Sequence, residues 1–190
     1  MMDRRRVLVG VSALLPAGAL AQDPAASPLR VLAEGGTVAL IRHAATLGTG
    51  DPPGFRLGDC STQRNLSDDG RRQAVELGRK LREAGVLVTR LHSSRWCYAS
   101  QTAELAFPDV PVRPDAALDS FVDEPERRLR QTEKARALIN SWRRRQGTLA
   151  LVTHEQNITA LTDVAPAEGE IVVLRPTESA TFAVIGSVRM

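Results

Sequence analysis

Arg42 and His43 stand side by side directly after the apolar run Val38-Ala39-Leu40-Ile41. The pattern repeats more than a hundred residues later, where Leu149-Ala150-Leu151-Val152-Thr153 ends on His154. Short apolar runs rich in β-branched residues read as strands buried on both faces. Side chains at the ends of such strands are where open α/β sheets keep their chemistry. The chain has three histidines, and two of them hold this position. Paired as neighbouring strands, the two runs bring His43 and His154 together.

An arginine beside a neutral imidazole joins a planar bidentate anion donor to a group able to attack phosphorus. A phosphoryl group in transit spreads negative charge over its oxygens, so several cationic or N–H donors must converge on it. Arg42, Arg95 and a protonated His154 are the candidates.

The elements that would position these groups follow from periodicity. A short helix is expected from Leu29 to Glu34, ending at Gly35-Gly36, and a strand over Thr37–Arg42. A loop rich in glycine and proline, about Ala44 to Asn65, would lie over the strand end; loops of that length in compact domains are usually functional. Ser67 reads as the N-cap of a helix reaching Ala84, with Asp68 and Asp69 complementing its dipole. Further elements are a strand over Val86–Leu91, a helix from about Trp96 to Ala106, a short strand near Val112 and a loop over Asp115–Pro125. A helix from Glu126 to Arg145 follows, with Leu129, Ala135, Leu138, Ile139 and Trp142 facing inward. The strand Thr148–Thr153, a helix from Asn157 to Thr162 and two closing strands, Glu170–Leu174 and Ala180–Ile185, complete the chain. Strands alternating with helices predict a three-layer α/β/α sandwich with a mostly parallel sheet and an antiparallel edge.

Four stretches in this order resemble the histidine phosphatase superfamily, the phosphoglycerate mutase-like proteins. They are Arg42-His43-Ala44 with Thr46; Leu66-Ser67-Asp68-Asp69-Gly70 through Gln73-Ala74; Ser93-Ser94 with Thr102-Ala103; and Thr153-His154. The resemblance implies that His43 becomes phosphorylated, that His154 is catalytic, and that Arg42 and Thr46 bind the substrate phosphate. Where the family has its second phosphate-binding arginine this chain has Tyr98; Arg95, three residues earlier, would share a helical face with it. The family's proton donor maps nearest to Asp119, with Asp123, Glu124, Asp51, Asp59 and Glu155 as competitors. The implied activity is phosphomonoester hydrolysis through a phosphohistidine, without metal or organic cofactor. The implied substrate is a phosphorylated small molecule or an envelope phosphate; the alternative is a weakly active or inactive phosphate-binding member of the fold. His92, with no arginine before it, is a polar partner; Arg64 is equally a substrate contact or a salt bridge; Asn157 begins a helix or donates to a phosphate oxygen.

Residues 1–21 read as an export signal: Arg4-Arg5-Arg6, then the apolar Val7 to Leu15, then Ala19-Leu20-Ala21 as a small-x-small cleavage site. The apolar run is too short for a permanent membrane anchor. Twin-arginine and ordinary secretory routes both fit, and either implies a periplasmic or secreted protein. Residues 22–36 are then a flexible mature N-terminus and 37–190 the catalytic domain. Removing residues 1–21 takes away three arginines and Asp3 and lowers the net charge from +3 to +1. With aromatics at 4% and no basic patch, nucleic-acid binding has no support. In an oxidising compartment Cys60 and Cys97 are expected to form a disulfide. No Cys or His pair has metal-ligand spacing, and oligomeric state is not encoded legibly.

Overall fold

The computed structural model describes residues 27–190. The expected export signal and residues 22–26 lie outside the described residues. Six strands form one sheet, β1 (Thr37–Arg42), β2 (Val88–Ser93), β3 (Val112–Pro114), β4 (Thr148–Thr153), β5 (Ile171–Pro176) and β6 (Phe182–Val188). Their order across the sheet is β3-β2-β4-β1-β5-β6. The first four strands of that order run parallel, whereas β5 is antiparallel to both β1 and β6. The mostly parallel sheet with an antiparallel edge is thus observed.

Alternation along the central strands divides the core in two. Ala39 and Ile41 of β1, Ala150 and Val152 of β4 and Val173 of β5 pack with α1 (Pro28–Glu34), α2 (Asp68–Glu83) and α3 (Cys97–Ala106). Val38 and Leu40, Leu149 and Leu151, and Val172 and Leu174 pack on the other face with α4 (Arg128–Asn140) and α5 (Glu155–Thr162). Two apolar faces covered by helices make the three-layer sandwich.

Helix α2 starts where its sequence dictates: the Ser67 hydroxyl oxygen accepts from the Gly70 N–H at 3.0 Å, with Asp68 and Asp69 in the first turn. Gly70 presses on the loop after β1, and a Cβ there would lie 1.9 Å from the Ala45 carbonyl oxygen. Ser67 also bonds that oxygen, its N–H at 3.0 Å and its hydroxyl at 3.2 Å.

Four expectations are corrected. Residues 28–34 do not belong to a flexible terminus, because Val31 and Leu32 of α1 are buried in the core. Strand β2 runs two residues later than the apolar run implied, carrying His92 and Ser93 inside it. Helix α4 starts at Arg128 and stops at Asn140, so Trp142 packs from the turn beyond it. Leu129 lies on its outer face, 78% exposed.

Candidate active site

In the parallel pairing of β1 with β4, Arg42 is opposite Thr153, so the next residues, His43 and His154, leave the sheet side by side. Their ring centroids are 5.6 Å apart. The His43 N–H donates to the Thr153 carbonyl at 3.0 Å, and the Gly169 N–H donates to the carbonyls of Arg42 and His43 at 3.2 and 3.1 Å. The following turn is held by the Ala44 N–H on Thr102 Oγ1 and the Ala45 N–H on Gln73 Oε1, both at 3.0 Å. The Gln and Thr of the recognised stretches therefore brace the histidine loop from α2 and α3.

Both histidines border a cavity of about 690 Å³, together with Arg42, Arg64, Tyr98 and Glu155. Gly48 to Asp51, from the long loop, form one wall of it. His43 Nδ1 donates to its neighbour's carbonyl, Ala44 O, at 2.8 Å. That bond fixes the tautomer, leaving Nε2 with its lone pair and, among the described residues, no hydrogen-bond partner. Burial lowers the His43 pKa to about 4, and Arg42 and Arg64 add repulsion against the imidazolium. The ring is therefore neutral and nucleophilic at ordinary pH.

His154 is fully enclosed. Its Nε2 lies 2.8 Å from Ser94 Oγ and its Nδ1 3.2 Å from the Tyr98 hydroxyl. Burial holds its pKa well below the usual histidine value, with His43, Arg64 and Arg42 adding to the effect. The Tyr98 ring packs edge-on against His43 at 4.4 Å between centroids. Burial pushes its phenol up to about 12, against the pull of the adjacent Arg64.

Three arginines line the cavity, Arg42, Arg64 and Arg128, and the first two act on the histidines. Arg42 Nη1 donates to Glu155 Oε2 at 2.5 Å and to the Pro166 carbonyl at 2.8 Å. Arg64 places its guanidinium carbon 4.9 Å over the Tyr98 ring centroid and donates to the Gly48 carbonyl at 2.8 Å. The Nε of Arg42 and of Arg64 is buried with no hydrogen-bond partner among the described residues. Two guanidinium groups and a neutral imidazole lining one cavity favour an anion there.

Arg95 and Asp119 depart from the expectation. Arg95 precedes α3, and its Nε and Nη2 grip Asp119 Oδ2 at 2.8 and 2.5 Å. Asp119 also accepts from the Arg95 N–H at 2.9 Å and faces the Ser94 hydroxyl at 3.3 Å. Neither residue borders the cavity. Taken up by each other and away from the cavity, Asp119 is not placed to protonate a substrate and Arg95 is not placed to hold one. Thr46 is likewise outside the cavity; its backbone pairs with Leu66.

Of the competing acids, Asp51, Asp123 and Glu155 border the cavity, whereas Asp59 pairs with Arg56 and Glu124 with Arg127 on the surface. Asp51 accepts from Trp96 Nε1 at 2.9 Å. Asn157 Nδ2 donates to the Asp119 carbonyl at 2.9 Å, and His92 Nδ1 meets Asp115 at 3.3 Å; both act away from the cavity. Cys60 and Cys97 are joined in a disulfide that ties the long loop to the first residue of α3. Among the described residues no group of His, Cys, Asp and Glu is arranged to hold a metal ion.

No protein-family model and no curated protein matches this sequence. Solved structures do. The protein histidine phosphatase SixA, complexed with tungstate, is 16% identical with a TM-score of 0.59 over 80% of this chain and 96% of that one. A mycobacterial glucosyl-3-phosphoglycerate phosphatase is 18% identical, TM-score 0.56, over 80% and 95% of the two chains. The phosphoserine phosphatase of Entamoeba histolytica, in complex with 3-phosphoglyceric acid, is 14% identical, TM-score 0.56, over 81% and 97%. The chain thus has the fold of the histidine phosphatases.

Proposed function

We propose that this chain hydrolyses phosphomonoesters through a phosphohistidine on His43. The observation that carries the reading is the His43 ring itself: neutral, oriented by Ala44 O at 2.8 Å, its Nε2 unpartnered at a cavity that holds Arg42 and Arg64. In the first step Nε2 attacks phosphorus and the P–O bond to the leaving group breaks. In the second, water attacks the phosphoenzyme and frees the imidazole. The arginines face the charge on the phosphoryl oxygens throughout. The similar structures are of phosphatases acting on unlike molecules, and an open cavity fits a phosphorylated small molecule or an envelope phosphate equally. The N-terminal pattern and the disulfide together support export to the periplasm.

The test is acid-quenched labelling with a ³²P-phosphomonoester and hydrolysis of an aryl phosphate, in the native chain and in His43→Ala. Both signals should vanish in the variant; persistence of either removes His43 from the role.

Two observations favour the second reading, a phosphate-binding protein with little turnover: Arg42 already holds Glu155 at 2.5 Å and position 98 lacks an arginine. Saturable tungstate binding without hydrolysis of any phosphomonoester across a wide pH range would establish it.

A further inference from the structure

The contacts around His154 form a chain whose direction can be deduced from its carboxylate end. Asp119 only accepts, so the Ser94 hydroxyl, 3.3 Å away, donates to it. Ser94 Oγ already accepts from the Trp96 N–H at 3.2 Å. Its remaining lone pair meets His154 Nε2 at 2.8 Å, and that nitrogen therefore carries the hydrogen. A neutral ring then presents a bare Nδ1, which accepts from the Tyr98 hydroxyl at 3.2 Å. Tyr98 thus points its proton at His154 and a lone pair toward the cavity it borders.

A lone pair is the wrong face to show an anion. We propose that Tyr98 is a catalytic proton shuttle: a dianion entering the cavity draws a proton onto His154 Nδ1, which then donates to Tyr98, whose hydroxyl turns to the anion and its leaving oxygen. This rests on the phosphohistidine reading above. The groups facing His154 set the balance. Arg42, Arg64 and His43 oppose its protonation, the Trp96 ring stands edge-on at 5.6 Å, and Asp119, paired with Arg95, supports a cation through Ser94. A bound dianion cancels the two arginines and so favours the imidazolium.

The cycle closes. As the bond from His43 Nε2 to phosphorus forms and the ester P–O bond breaks, the Tyr98 proton passes to the leaving oxygen and the His154 Nδ1 proton to Tyr98. When water displaces the imidazole, its proton goes to Tyr98 and the tyrosine's own returns to His154. Alcohol and inorganic phosphate leave with no net change in the protein.

Tungstate is the probe of choice because it remains a dianion near neutral pH and exchanges no proton itself. Calorimetric titration near neutral pH in buffers of different ionisation enthalpy should show uptake of about one proton per tungstate by the native chain, and little by the nearly isosteric Tyr98→Phe. Undiminished uptake in Tyr98→Phe, or none in the native chain, overturns the proposal. Uptake that disappears in His43→Ala but survives in Tyr98→Phe assigns the proton to His43 and overturns it too. If tungstate does not bind at all, the phosphatase reading fails and takes this one with it. A kinetic signature separates shuttle from scaffold: Tyr98→Phe should slow an alkyl phosphate about 100-fold and 4-nitrophenyl phosphate, whose leaving group needs no proton, far less. Equal loss on both refutes a proton-transfer role.

Discussion

Replacing both cysteines by serine should destabilise the oxidised protein by about 4 kcal/mol, by loss of loop-closure entropy from the unfolded chain. The value comes from the 37-residue separation of Cys60 and Cys97. For a domain of this length it corresponds to a fall in Tm of about 8–16 °C. The native contacts beside the crosslink do not depend on sulfur. The Cys97 N–H donates to Gln63 Oε1 at 2.9 Å, Asn65 Nδ2 to the Cys60 carbonyl at 2.9 Å and Gln101 Nε2 to Asn65 Oδ1 at 2.8 Å. The double variant should therefore fold to the same structure, and the loss should appear in urea titrations of oxidised native protein against the variant. The site supplies a second readout, since Arg64 follows Cys60 by four residues and Tyr98 follows Cys97 directly. Tungstate affinity of the folded variant should stay within about threefold of native, because hydrogen bonds still dock the loop. A stability loss below about 1 kcal/mol would refute the entropic reasoning. Collapse of anion binding with stability retained would show that the crosslink holds Arg64 in place instead of stapling the chain.

Three further outcomes follow. Arg64→Ala should raise KM for a phosphomonoester and weaken tungstate binding by about 1.5–3 kcal/mol, roughly 10- to 100-fold, the loss of one charge-assisted anion contact; unchanged affinity removes Arg64 from the site. Because burial lowers the His43 pKa to about 4, the unfolded state binds more protons than the folded one between about pH 4 and 6.5, so this group's contribution to stability falls as pH drops through that window. His154 shifts the same way, and His43→Ala should flatten the acid limb of a stability-against-pH curve measured by urea denaturation. Gly70→Ala should destabilise by about 2–3 kcal/mol or more, since its Cβ meets the Ala45 carbonyl at 1.9 Å; a thermal melt within 2 °C of native, about 1 kcal/mol, would show that the histidine loop yields freely.

The central strands were legible because burial on both faces writes itself as an unbroken apolar run. Parallel pairing then makes two strand-end histidines neighbours whatever the intervening chain does. Positions fixed by local chain direction were not legible. Arg95 shares a helical face with Tyr98 only if both lie in one helix, but α3 begins at Cys97 and Trp96 is extended, with φ −67° and ψ 136°. That one turn of backbone sends the guanidinium to Asp119, and it removes an expected phosphate ligand and an expected proton donor together. Arg64 sits in a loop with no periodicity to place it. The one available signal was indirect: a site that needs a second cation, with tyrosine at 98, must draw it from elsewhere. The cation then comes from a loop instead of a helix, 4.9 Å above the tyrosine that replaced it. A loop-borne charge is positioned only as well as its loop is anchored. Here the anchors are Arg64 to Gly48, the Gln63 and Asn65 bonds and the disulfide, so the placement of Arg64 at the cavity depends largely on contacts beyond its lining.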